Sequence, residues 1–95
     1  MAEFGLHAIE RESPLTIVGR CHRGPIRIGS RFTLFAEEGG EEHVVSLEVV
    51  RMEAYRRELD EVADGLTARL VLSGTGGESL TGRGVLRTCH EPPIG

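Results

Sequence analysis

The sequence predicts an all-β fold, a small closed antiparallel β-barrel of about six strands. Two observations carry that expectation. Short segments alternate apolar and polar side chains with period two, and glycine, proline or a charged turn closes each of them. The segments also recur at the spacing of about 8 to 12 residues that marks small barrels and sandwiches. A chain of 95 residues suffices for one hydrophobic core, so we expect a single domain over residues 1–95 with an ordered core of about 3–90.

The first strand is expected from Phe4 to Ile9. In the second, Leu15, Ile17, Gly19 and Cys21 face one side, and Thr16, Val18, Arg20 and His22 the other. Arg23-Gly24-Pro25 interrupts that ladder, because proline has no amide proton to donate. Phe32 and Leu34 then alternate with Thr33 and Phe35 up to Glu37-Glu38-Gly39-Gly40, which reads as a hairpin tip. Val45, Leu47 and Val49 form the next inward set, and Leu66, Ala68, Leu70 and Leu72 the one after; a last strand covers Val85 to Cys89. The exception is Met52 to Asp64. There Met52, Tyr55, Leu59 and Val62 recur at spacings of three, four and three, the period of an amphipathic helix. In a barrel this segment becomes a short helical or irregular connection near residues 53–64 that covers one open end.

Composition narrows the function classes. With 39% hydrophobic and 27% charged residues the chain is ordinary for a globular protein. A net charge of −4 argues against coating nucleic acid or anionic membrane by bulk electrostatics. No long apolar run exists to span a bilayer and no secretory leader is evident, so a cytoplasmic location without membrane association is expected. All eleven basic residues are arginine. The phosphate loop Gly-x-x-x-x-Gly-Lys-[Ser/Thr] is therefore absent, and nucleotide hydrolysis through it is excluded. Ser13, Ser30, Ser46, Ser73 and Ser79 accompany four histidines without a nucleophile-elbow pattern, and no catalytic residue is assigned.

Two stretches resemble domain two of the translational GTPases, the family of elongation factor Tu. Gly19-Arg20-Cys21-His22-Arg23-Gly24-Pro25-Ile26-Arg27-Ile28-Gly29 follows the pattern of Gly-Arg, Arg-Gly, an aliphatic residue and a strand-opening glycine. The second stretch runs from Val45 through Met52 and Tyr55 to Gly65, then Leu70 to Gly74, and ends on Gly82-Arg83-Gly84-Val85-Leu86. The resemblance covers roughly residues 4 to 90. It implies a β-barrel of the translation-factor type and turns residues 52–64 into a strand end plus a compact connection with one helical turn. The chain departs from the pattern in its short approach, Glu10-Arg11-Glu12-Ser13-Pro14, ahead of the Gly-Arg strand. In that family the domain holds the aminoacyl end of a transfer RNA or touches the ribosome, which implies a free-standing binding module here.

Arg20, His22, Arg23, Arg27 and Arg31 fall within twelve residues free of Asp and Glu, a local charge of +4 that leaves −8 for the rest. They are the candidate partner-binding residues, since guanidinium groups pair with RNA phosphates or with carboxylates of an acidic protein surface. Strand arginines also protect sheet edges and solubilise surfaces. Tyr55, Leu59 and Val62 are the alternative interface, for a docking or homodimerising module; at their spacing, packing onto the chain's own core competes with that reading. Cys21-His22 and Cys89-His90 match a zinc inventory in number only, because neighbouring strand residues point to opposite faces. Glu37, Glu38, Glu41 and Glu42 lack the ligand spacing of a calcium loop, and Gly74-Thr75-Gly76-Gly77 lacks the context of a phosphate loop. No cofactor is expected.

Overall fold

A computed structural model describes residues 2–88. In chain order the elements are β1 (Glu3–Glu12), β2 (Leu15–Arg23), β3 (Ile26–Arg27), β4 (Arg31–Glu37), β5 (Glu42–Ala54), β6 (Arg57–Glu58), β7 (Glu61–Val62), β8 (Thr67–Thr75), a single 3₁₀ turn (Gly77–Ser79) and β9 (Gly84–Thr88). The six longer strands pair in the order β4-β9-β1-β2-β8-β5, and β5 pairs back to β4, which closes an antiparallel barrel. They coincide with the six segments whose period-two pattern marks them in the sequence. The two-residue strands are the additions: β6 extends β5, and β3 pairs with β7. Cys89, the last residue of the expected final strand, lies outside the described residues.

A six-stranded barrel has little interior volume, so its lining must be compact and continuous. Phe4 from β1, Ile17 and Cys21 from β2, Leu47 and Val49 from β5, Leu70 from β8 and Leu86 from β9 are all essentially sealed from solvent. On β4 the simple alternation fails. Phe32 and Phe35 are both fully buried, whereas Leu34, expected to share a face with Phe32, is only partly covered. The cause is a bulge. Phe32 opposes Thr88 but Leu34 opposes Arg87, so Thr33 is an extra residue against β9 and the following side chains change face. A second bulge in β5, between Val49 and Arg51, leaves Val50 and Arg51 both facing outward and returns Met52 to the core.

Of the helical or irregular connection expected near residues 53–64, the irregular alternative is the one present, and no helical turn forms there. β5 continues to Ala54, a tight turn at Tyr55 and Arg56 reverses the chain, and Glu53 and Ala54 pair with Glu58 and Arg57 of β6. Both turn residues are left-handed, with φ of 53° and 63°, a conformation that no right-handed helix can contain. Met52 and Val62 are buried from separate strands, so their helix-like spacing records two inward strand positions joined by a turn. The segment does cover one end of the barrel. Ile26 pairs with Val62 in the β3–β7 ribbon, and both side chains are fully buried beneath it. Hydrogen bonds from the Cys21 N–H to the Leu66 carbonyl (2.8 Å) and from the Gly65 N–H to the Cys21 carbonyl (2.7 Å) fasten the β7–β8 connection to the end of β2.

Where β1 and β2 cross, Gly19 opposes Leu6, and a Cβ at Gly19 would collide with the carbonyl oxygen of Gly5 and press on the Phe4 ring. Neither obstacle is a flexible side-chain tip, so the strands would have to separate. We therefore expect Gly19→Ala to lower stability by about 1–3 kcal/mol through overpacking. Urea denaturation followed by circular dichroism checks this, and a midpoint equal to that of the unsubstituted chain would show that the crossing is looser than described.

Candidate functional site

The five candidate basic residues do not form one patch. Arg20 and His22 point outward from β2, whereas Arg31 opens β4, and β2 and β4 are three strands apart in either direction around the closed sheet. Arg27 and Arg31 also have carboxylate partners that are remote in sequence. The Arg27 Nε lies 2.8 Å from Glu61 Oε1, and Arg31 donates to Ser46 Oγ at 2.8 Å and to Glu48 Oε1 at 3.1 Å. Arg20 instead donates its Nε to the Gly65 carbonyl at 3.1 Å, which holds the guanidinium in place without neutralising it. Among the described residues, Arg20, His22 and Arg23 form no ion pair.

The alternative interface also separates. Val62 is fully buried and Leu59 packs partly covered against the core, while Tyr55 is 83% exposed. Tyr55 and Arg56 are the two central residues of the β5–β6 hairpin, positions that need positive φ and are ordinarily filled by Asn-Gly or Asp-Gly. A bulky aromatic in the left-handed region is a genuine outlier, and such strain gathers at sites that use the displayed side chain.

The hairpin stands beside the outer wall of β2 and β8. A groove runs there, lined by Val18 of β2, Thr67 and Arg69 of β8, and Glu53, Tyr55 and Arg56 of the hairpin. Thr67 is the direct cross-strand partner of Arg20, so Arg20 borders the groove. This brings one member of each expected set onto a single wall. Arg69 is already committed: Glu10 receives its Nε at 2.6 Å and Glu53 its Nη1 at 3.3 Å. The hydrogen bond from Arg69 holds the Glu10 carboxyl below its usual pKa. The Arg51 Nε in turn lies 2.7 Å from Glu58 Oε1. Arg20, Arg56 and Arg57 are thus the cations near the groove that keep an uncompensated charge among the described residues. Arg56, and its place in a groove that also holds the cross-strand partner of Arg20, escape a sequence reading, because the turn carries no glycine, asparagine or aspartate to mark it.

The remaining constellations resolve locally. Cys21 is buried and His22 exposed, on opposite faces of β2 as neighbouring strand residues must be; Cys89 and His90 lie outside the described residues. Burial pushes the Cys21 thiol above its usual pKa, and the Asp64 carboxylate pushes it further, so it stays protonated. At the β4–β5 hairpin, His43 Nε2 lies 3.5 Å from Glu37 Oε2 and 3.7 Å from Glu41 Oε2, and its ring stacks on Phe35. Among the described residues these three are the group whose ligand atoms lie close enough to share a cation. Glu38 and Glu42 are exposed beside them. No helix is long and apolar enough to cross a membrane among the described residues. No protein-family model, curated protein or solved structure matches the chain.

If the left-handed tip exists to display Tyr55, a standard turn sequence relieves strain there. The double substitution Tyr55→Asn with Arg56→Gly is expected to raise stability by about 1–2 kcal/mol, the cost of two non-glycine residues at positive φ. Urea denaturation reads it directly; a loss of stability would mean that the tyrosine packs productively at the tip.

Proposed function

We propose that the chain is a non-catalytic β-barrel binding module that holds single-stranded RNA on the wall formed by β2, β8 and the β5–β6 hairpin. The observation that carries this reading is the exposed, conformationally strained Tyr55, which lines a groove together with Arg56 and with Thr67, the cross-strand partner of Arg20. An unpaired base stacks on an exposed aromatic face for about 1–3 kcal/mol, and neighbouring guanidinium groups take the flanking phosphates. The two kinds of contact need each other here. A chain of net charge −4 cannot hold RNA by its overall field, so two or three local arginines must act together with stacking. The resemblance of the Gly19–Gly29 and Val45–Leu86 stretches to domain two of the translational GTPases supports the same reading, because domains of that family contact transfer RNA or the ribosome.

The alternative is a protein-interaction or homodimerising module with no nucleic-acid role. It is less well supported. Val62 is withdrawn into the core, and closure of the barrel leaves the two-residue strand β6 as the free edge of the main sheet.

Fluorescence anisotropy with a labelled single-stranded RNA separates the two. RNA held through three arginines should weaken with salt at a logarithmic slope of about −2, the value for roughly three phosphates on a single strand. Tyr55→Ala should cost about 1–3 kcal/mol of affinity, and Tyr55→Phe should restore most of it. Binding unchanged by Tyr55→Ala would refute the stacking role. Absence of RNA binding, with a dimeric mass by light scattering, would favour the alternative.

A further inference from the structure

The two ends of the barrel are finished differently. One lies under the β3–β7 ribbon, with Ile26 and Val62 sealed beneath it. At the other end, where β1 turns into β2 and β8 runs out, the 3₁₀ turn Gly77–Ser79 is the element among the described residues that folds across. Hydrogen bonds from the Ser79 N–H to the Gly76 carbonyl (3.0 Å) and from the Leu80 N–H to the Gly77 carbonyl (3.1 Å) close that turn and bring Leu80 back against the core. The cover is incomplete. A cavity of about 410 Å³ remains, within the usual size of small-molecule sites.

Its floor is apolar: Leu47 and Leu72 are nearly inaccessible, and Leu15, directly opposite Leu72 across the β2–β8 pair, is only half covered. Glycine keeps the mouth open, since a Cβ at Gly77 would come within 2.9 Å of Leu15 Cδ2. Two carboxylates, Glu12 at the end of β1 and Glu78 on the 3₁₀ turn, complete the lining. Elsewhere on the barrel Glu3, Glu10, Glu48, Glu53, Glu58 and Glu61 each face an arginine. Glu12 and Glu78 have no such partner among the described residues.

We propose that this open end of the barrel binds a small amphipathic amine, with its hydrocarbon part against Leu15, Leu47 and Leu72 and its ammonium between Glu12 and Glu78. The complementarity is of two kinds. The apolar floor gains from excluding water, and the carboxylates favour a cation while penalising an anion of the same shape. Because the cavity opens where β8 ends and the Tyr55 groove borders the start of β8, this site is independent of the RNA-binding reading.

Titration of the ¹⁵N-labelled chain with n-hexylamine, n-hexanol and hexanoate tests the proposal. Hexylamine should shift the amides of Leu15, Gly74 and Gly77 saturably, hexanol more weakly, and hexanoate least. Glu12→Gln together with Glu78→Gln should weaken hexylamine by about fivefold per carboxylate, the upper range for solvent-exposed ion pairs, and leave hexanol unchanged. Both glutamates are exposed, so the double variant should retain the dispersed spectrum of the folded chain. Hexanoate binding as tightly as hexylamine, an unchanged hexylamine affinity in the double variant, or no saturable shift at these amides would each overturn it.

Discussion

Closure of the sheet through β4 is the constraint on which the rest of the structure depends. β4 pairs with β9 on one side and β5 on the other, and without it the remaining strands would form an open sheet with two long edges. The Thr33 bulge makes closure compatible with a filled interior. It lets β4 send Phe32 and Phe35 inward together, where Phe32 meets Phe4 from β1 with ring centroids 6.5 Å apart. A strictly alternating β4 would place one of those rings in solvent. Closure also fixes which residues can cooperate, because strands three apart in a ring of six occupy opposite walls.

That geometry explains why the run of arginines from Arg20 to Arg31 does not form one patch. Its members are neighbours in sequence and are distributed around the barrel in space. Arg27 and Arg31 meet Glu61 and Glu48, each more than a dozen residues away along the chain. Arg20 has a backbone carbonyl as its partner, so no carboxylate compensates its guanidinium. What decides the electrostatics of the surface is therefore cross-strand pairing, and the face beside Tyr55 stands out as the place where cations remain while the aromatic is displayed.

The six barrel strands are legible in the sequence because each keeps one face in the core, and burial imposes period two. The same logic marks the break after Arg23 and the acidic tip at Glu37–Glu42. Legibility ends where the backbone departs from regular pairing. Bulges at Thr33 and Val50 shift the phase of alternation by one, and they carry no composition signal that a single chain reveals. The left-handed Tyr55-Arg56 turn is concealed further, since its residues are the opposite of those such turns favour, and Met52 to Val62 therefore imitates a helix. Of the candidate site, the types of group are legible but their grouping is not. Arg20 and Tyr55 can be named from the sequence; their placement on one wall follows from the register of β2, β8 and the β5–β6 hairpin.

The central claim is that Tyr55 stacks on a base while neighbouring arginines hold the strand. Photo-crosslinking of the full chain to single-stranded RNA, followed by trypsin digestion and mass spectrometry, addresses it most directly. The account predicts that the dominant adduct lies on the peptide of residues 52–56, which contains Tyr55. A dominant adduct on a peptide from the opposite wall, such as residues 84–87 of β9, three strands from β8, would contradict it.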